Sequence, residues 1–296
     1  MQLGNPHVLT PEVNRGIFIA RIAPAFFSHA AHLKRPELHI VGGQPGSGKS
    51  TLIKQIAGDL KNRFGGNAVV TIIGDRFRAF HPHYDKFLES DAYRAGEFTD
   101  ADLSRWVEQA VDLTVTQGNC VIIEGTLREP EVNIRTASLY LSHGFTVHLH
   151  VLAVHEFESR SRIFQRYFDQ NRNSSYGRYT PREAHDRSYR VLPESIATLM
   201  NFSLFKSITL YDHNQNPILN INLPEKDAYR EVLAALEKRR DDKHVDTDSV
   251  LLTIDHLLPM AKAKQHGKID NDLQELRQNV LQIVQGRDVK NDTDIL

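Results

Sequence analysis

A single cysteine, Cys120, among 296 residues excludes an intramolecular disulfide framework and suits a reducing compartment. Neither sign of charge is in excess: 36 basic against 37 acidic side chains leave a formal net charge of −1, which announces no nucleic-acid surface. No apolar run approaches the length of a membrane span. The N-terminal "MQLGNPHVLTPEVNRG" lacks the basic segment and apolar core of a secretory signal. Internal repeats and low-complexity tracts are missing as well. Together these absences predict a cytoplasmic protein with neither nucleic-acid nor membrane partners.

What the chain does contain is short, β-branched apolar runs: "LHIVGG" from Leu38, "AVVTIIGD" from Ala68, "CVIIEGT" from Cys120, "TVHLHVLAV" from Thr146 and "ITLYDH" from Ile208. Continuous rather than alternating hydrophobicity suits strands of a parallel sheet covered on both faces. Helical patterns lie between them. One is Lys49 to Leu60, and another is Asp102 to Gln117, with Thr99 and Asp102 as a capping box. Alternation of strand and helix predicts right-handed βαβ units, with ligands gathering at the carboxyl ends of the strands. After Pro224 the pattern becomes helical only, with Leu273, Leu276, Val280 and Ile283 on one stripe and Gly286 as a helix stop before a loose tail. The predicted division is an N-terminal helical segment, 1–35, packed on a nucleotide-binding domain, 36–224, followed by a helical extension, 225–296.

Gly43 to Ser50, "GQPGSGKS", matches G-x-x-x-x-G-K-[ST] at every position, after a strand and before a helix. In such a loop the backbone N–H groups of Gly43, Gln44, Pro45, Gly46, Ser47 and Gly48 (Pro45 excepted, having none) and the following helix N-terminus surround phosphate oxygens. Lys49 reaches the β and γ phosphates, and Ser50, beside Thr51, offers a hydroxyl to Mg²⁺. A nucleoside triphosphate ligand follows, but not the destination of its phosphate.

Asp75, at the end of the second strand, is placed to orient an acceptor hydroxyl and take its proton. "RFRAFHPHY" after it suits an acceptor wall, which makes Phe77, Arg78 and His81 candidates. Capping of the next helix is the competing role for Asp75. Glu124 closes "VIIEGT" where a carboxylate can bind the acceptor or hold Mg²⁺ through water. Glu108 sits beside the apolar stripe of its helix, and by pattern alone it reads as a solvated surface residue. Between Arg160 and Arg190 stand eight arginines and no lysine, a composition suited to a lid that brings planar, bidentate cations over a triphosphate. Arg166 and Arg178 flank the small polar turn "NRNSSYGRYT", and Thr180-Pro181-Arg182-Glu183 reads as the start of the next helix. His148 and His150 share a strand face; no third ligand stands near them in sequence, so they read as sheet histidines rather than a metal pair.

The runs "GGQPGSGKST", "GDRFRAFHPHY", "VIIEGTLREPEV", "FQRYFDQ", "GRYTPREAHD" and "LYDHNQNPI", in this order and over residues 36–220, resemble the zeta toxin family of P-loop kinases. The resemblance implies transfer of the γ-phosphate of ATP or GTP, with Mg²⁺, to the 3′-hydroxyl of the amino sugar in UDP-N-acetylglucosamine. Carried over by motif, the phosphate-loop lysine is Lys49 and the base is Asp75. The acceptor-binding glutamate falls on Glu108, which the resemblance promotes from the surface role. Arg166 and Arg178 become the lid arginines, and Glu124, Gly125, Thr126 and Arg128 line the sugar-nucleotide pocket. A small helical antitoxin is the implied protein partner, and the segment after Pro224 is cladding, a docking surface or an in-chain inhibitor. Two departures stand out: the family's Asp-Asn-Asp run is Ile73-Gly74-Asp75 here, and its "EGTGR" is "EGTLR", with Leu127 in place of a glycine.

The expected fold is therefore α/β: a P-loop NTPase-type three-layer sandwich with a mostly parallel sheet of five or six strands, plus a helical C-terminal extension. Its expected activity is that of a small-molecule kinase acting as the toxin of a toxin–antitoxin system. A kinase for an antibiotic or a dinucleotide, and a nucleotide-dependent switch, are the alternatives.

Overall fold

Strands and helices alternate through most of the computed structural model, which describes residues 7–91, 94–173, 179–263 and 267–293. In chain order these are α1 (Pro11–Ile17), α2 (Ala23–Phe26), β1 (Glu37–Gly42), α3 (Lys49–Phe64), β2 (Val69–Ile72), α4 (Gly74–Phe77), α5 (Tyr84–Ser90), α6 (Ala95–Gln117), β3 (Cys120–Gly125), α7 (Pro130–Ser142) and β4 (Thr146–Leu152). They continue with α8 (Glu156–Asn173), α9 (Arg182–Met200), β5 (Ser207–Tyr211), β6 (Pro217–Asn222), α10 (Ala228–Arg240), α11 (Thr247–Ala263) and α12 (Gly267–Thr293). The sheet has six strands in the order β2-β3-β1-β4-β5-β6, parallel except for the antiparallel edge strand β6. The sequence expectation of a three-layer α/β sandwich is met. Among the described residues no helix is long and apolar enough to cross a membrane.

β1 occupies the centre, hydrogen-bonded to β3 on one side and β4 on the other. Such a strand must be apolar on both faces, and Leu38, Ile40 and Val41 are almost fully buried. One face carries the larger core, in which Trp106 of α6, Tyr140 of α7, Leu192 of α9 and Leu236 of α10 meet Leu38, Ile40 and Leu149. On the opposite face Leu52, Ile56 and Leu60 of α3 pack on Val41, Ile122 and Leu152. A third cluster sits apart from the sheet, where Phe164, Tyr167 and Phe168 of α8 meet Ile254 and Leu257 of α11 and Leu273, Leu276 and Val280 of α12.

Three local expectations are corrected. The helix expected from Asp102 begins at Ala95, so Thr99 and Asp102 are interior residues and not a capping box. Their side chains are satisfied by tertiary partners: Asp102 accepts from Leu9 N and Asn14 Nδ2, while Thr99 Oγ1 accepts from Arg78. The helix expected at Thr180 starts at Arg182, with Pro181 extended (ψ 147°) as its N-cap, and Thr180 Oγ1 accepts from Arg166 Nη2 at 2.8 Å. Gly286 does not stop α12, which runs to Thr293; Arg287 just beyond it donates to the carbonyls of Asp242 and Val245 and ties this turn to the loop before α11.

Candidate active site

The carboxyl ends of β1, β2 and β3 and the first half of α8 meet at one edge of the sheet. The phosphate loop follows β1, and its shape depends on three glycines with positive φ: Gly43 at 152°, Gly46 at 78° and Gly48 at 102°. Space is as restrictive as backbone geometry. A Cβ on Gly46 would stand 2.0 Å from the carbonyl oxygen of Ser159, and one on Gly48 would stand 2.7 Å from Gln215 Nε2. Gln44, wholly buried, anchors the loop by donating to Val154 O at 2.8 Å and to Ser159 Oγ at 3.2 Å. Lys49 Nζ donates to two carbonyls of its own loop, Gly43 O at 2.8 Å and Gln44 O at 3.0 Å, and this curls the loop around the ammonium. Ser50 and Thr51 are exposed on the first turn of α3.

Around Lys49 the charges alternate. Burial disfavours its ammonium and lowers its pKa; Glu124 and Asp75 act against that, whereas Arg166 and Arg128 add to it. The converse holds for Glu124 of β3, whose pKa is raised by burial and by Asp75 and pulled back by Lys49 and Arg166. Lys49, Asp75, Glu124 and Arg166 therefore form one electrostatic cluster contributed by α3, α4, β3 and α8. Perturbed groups of opposite sign gathered in a cleft mark a functional site more often than a structural one.

Asp75 stands on the one-turn helix α4, with its side chain 50% exposed, and accepts from Arg78 Nε at 3.1 Å. Arg78 is itself 4% exposed and bonds Gly96 O at 2.7 Å and Asp100 Oδ1 at 2.5 Å as well as Thr99 Oγ1. It thus fixes α4 to the start of α6, a positioning role. Phe77 and His81 are likewise packed inward. Phe77 is fully buried with its ring 5.4 Å from that of Phe26, and His81 is buried beside Asp102, Phe87 and Trp106.

After β3, Gly125 and Thr126 are half-buried, and Arg128 is exposed with its Nε on Thr126 Oγ1 at 3.0 Å. Leu127 between them has a φ of 56°, the left-handed region that a glycine enters without penalty. Its side chain is 1% exposed and lies over Gly42, where a Cβ would stand 2.1 Å from Leu127 Cδ1. The leucine therefore fills the core. Glu108 is exposed on α6 next to Val107, which packs over Gly74.

Helix α8 has two working faces. Ser159, Arg162 and Arg166, at spacings of three and four, look toward the phosphate loop; Phe164, Tyr167 and Phe168 face α11 and α12. Arg178, paired with Arg166 in the sequence reading, lies outside the described residues. Two neighbours of the loop were not singled out from sequence: Arg162, whose Nη1 would be 3.9 Å from a Cβ on Gly48, and Gln215 on the β5–β6 turn. The arginine-rich composition pointed to the first only as one of eight, and the second stood unremarked within the run "LYDHNQNPI".

Comparisons with known proteins agree with this geometry. The family model described as "Zeta toxin" matches residues 25–224. Toxin zeta of Streptococcus pyogenes is 30% identical over 181 residues, which are 61% of this chain and 61% of that protein. Toxin PezT of Streptococcus pneumoniae serotype 4 is 32% identical over 186 residues, 62% of this chain and 71% of the relative. The matched segment thus spans less than two thirds of the zeta toxins of Streptococcus pyogenes and Enterococcus hirae. A solved structure from the PezAT chromosomal toxin–antitoxin system of Streptococcus pneumoniae superposes with a TM-score of 0.63 at 25% identity, covering 79% of this chain and 97% of that one. The AvrRxo1-ORF1:AvrRxo1-ORF2 complex with sulphate ions, at 13% identity and a TM-score of 0.51, shares the fold alone. With its phosphate loop formed, its strand-end acids gathered and two thirds of its length matched by the family model, the chain belongs to the zeta toxin family.

Proposed function

We propose that the chain is a phosphotransferase that moves the γ-phosphate of ATP or GTP onto an alcohol of a UDP-amino sugar, the 3′-hydroxyl of UDP-N-acetylglucosamine being the expected acceptor. The observation that carries this reading is the convergence of Lys49, Asp75, Glu124 and Arg166 at one sheet edge. A nucleotide-binding loop alone needs no acid at the end of β2; transfer to a hydroxyl does.

In this mechanism the curled loop binds the triphosphate through its N–H groups, and Lys49 exchanges its two loop carbonyls for phosphate oxygens. Ser50 and Glu124 are hard oxygen donors suited to Mg²⁺, which supplies charge neutralisation when bound with the nucleotide. Asp75, held by Arg78, takes the proton of the acceptor hydroxyl as its oxygen bonds the γ-phosphorus and the bridge to the β-phosphate breaks. Arg166, whose charge acts on Lys49 and Glu124, is proposed to offset the charge that moves to the leaving oxygen, and Arg178 is proposed to join it. Gly125, Thr126, Arg128 and Glu108 are proposed for the sugar nucleotide.

The proposed biological role is that of a toxin neutralised by a small helical antitoxin, in line with the names of its relatives. The extension after Pro224 is proposed to clad the lid helix, since α8 stands between α11–α12 and the phosphate loop. Incubation with γ-labelled ATP and a panel of sugar nucleotides, read by mass spectrometry, tests the reading. One phosphorylated UDP-amino sugar is expected; release of inorganic phosphate only would refute it.

A further inference from the structure

The amino-terminal ends of β1 and β4, remote from the phosphate loop, carry a second constellation. Their register pairs Glu37 with Thr146, His39 with His148 and Val41 with His150, so the acid and three histidines share one face of the sheet. On this face α3 packs over β1, β2 and β3. It leaves β4 to β6 bearing polar side chains, among them Ser207, Thr209 and Tyr211. The rings of His39 and His148 stack at 4.8 Å. Sequence spacing offered no partner ligand to His148; the neighbouring strand β1 brings two, Glu37 and His39.

We propose that Glu37, His39 and His148 form a divalent metal site with Zn²⁺ as its occupant. One ligand atom from each lies within 4.8 Å of the other two, and His39 Nε2 is 3.1 Å from Glu37 Oε2. Zinc bonds of about 2.0–2.2 Å put tetrahedral ligand atoms roughly 3.4 Å apart. Closure therefore asks for a small rotation of the half-buried His148 ring.

The surroundings hold both histidines by their second nitrogen. His148 Nδ1 is bonded to Ser207 Oγ at 2.8 Å, which leaves Nε2 for the metal. His39 Nδ1 meets His150 Nε2 at 2.9 Å, and His150 Nδ1 meets the Tyr211 hydroxyl at 3.0 Å. A metal on His39 Nε2 fixes that ring's proton on Nδ1, which donates to His150 Nε2 and sets the His150 proton on Nδ1, toward Tyr211. Arg63 holds both oxygens of Glu37, Nη1 on Oε2 at 3.0 Å and Nη2 on Oε1 at 2.5 Å, so a metal on Oε2 displaces Nη1 while Oε1 stays held. Metal-binding histidines with their second nitrogen engaged, and carboxylates with their second oxygen held, are the outer shell that metal sites require. Glu37 and His148 are only partly buried, so water completes the fourth position. Two imidazoles and a carboxylate favour zinc over the hard cations used by phosphate chemistry.

His39 precedes Gly43 by four residues of extended chain, which separates the metal site from the phosphate loop by roughly 13 Å at a rise of about 3.3 Å per residue. Its test is therefore independent of phosphotransfer. The untagged full chain, cleared with chelator, is titrated with Co²⁺ and then Zn²⁺. One equivalent of Co²⁺ giving the intense visible absorption of four-coordinate cobalt, displaced by Zn²⁺, is expected. His148→Ala and Glu37→Gln should each abolish that band while retaining the far-ultraviolet circular dichroism of the parent. Ser207→Ala, which leaves all three ligands, should weaken binding roughly ten- to a hundredfold. Absence of the band in the parent, or a band that survives both His148→Ala and Glu37→Gln, would overturn the site.

Discussion

Arg78 holds Asp75: the buried guanidinium donates from Nε to Asp75 Oδ1 at 3.1 Å while its other nitrogens bind Gly96 O, Thr99 and Asp100. The bond orients the half-exposed carboxylate on its single helical turn. Arg78→Lys, which keeps the charge but loses the fork, is predicted to lower phosphotransfer by about ten- to a hundredfold, part of the contribution of a positioned base. Nucleotide affinity measured by calorimetry should stay within about twofold, because phosphate binding rests on the loop and Lys49.

Gly46→Ala meets two obstacles at once. Its φ of 78° disfavours any side chain, and the Ser159 carbonyl would stand 2.0 Å from the new Cβ. We expect a loss of about 2 kcal/mol or more in denaturant unfolding. Nucleotide binding should fall in parallel, since relief of the clash moves the loop away from α8.

Leu276→Ala tests the bond between the extension and the lid helix. Leu276 is fully buried against the α8 cluster, and a cavity there should cost about 2–5 kcal/mol. Neighbouring ties join α12 to the start of α9: Arg182 Nη1 to Glu275 Oε1 at 2.6 Å and Tyr179 Oη to Asp272 Oδ2 at 3.2 Å. Limited proteolysis should show faster cleavage within residues 156–200 of the variant than of the parent. Equal rates would mean that α8 keeps its place without this packing.

Asp212 shapes the β5–β6 turn that sets Gln215 against Gly48. Burial acts to raise its pKa, but the N–H groups of Asn216 and Asn214 and the Asn216 side chain outweigh it and hold the carboxyl below its usual 3.8. A depressed carboxylate stabilises the fold above its unfolded pKa and ceases to do so as pH falls through the lower folded value. Asp212→Ala should therefore be less stable by about 1 kcal/mol at pH 7. The gap should narrow below pH 3.8, as urea midpoints in a pH series would reveal.

Much of this was legible in the sequence because it is encoded locally. The phosphate loop is one contiguous stretch whose glycines have no other reading, and the apolar runs that became β1, β3 and β4 are too hydrophobic for anything but a doubly covered sheet. The residues after β2 were read for their composition alone, and their placement depends on a one-turn helix that follows Ile73. The turn sends Phe77 into the core and Arg78 beneath Asp75, a distinction set by α2 and α6 far along the chain. Thr99 and Asp102 looked like a helix start because polar residues at that spacing usually are one, yet both are interior and satisfied by residues 9, 14 and 78. The histidines illustrate the same limit across strands: His148 lacks a ligand partner in sequence but has His39 and Glu37 in register beside it.

The central claim is that the acid after β2 serves transfer and the loop after β1 serves donor binding. Asp75→Ala separates the two directly. Measured side by side, the variant should bind nucleotide with an affinity within about threefold of the parent, while labelling of the UDP-amino sugar falls by a factor of about 10² to 10⁴. Retention of acceptor labelling, or a loss of nucleotide binding as large as the loss of transfer, would contradict it.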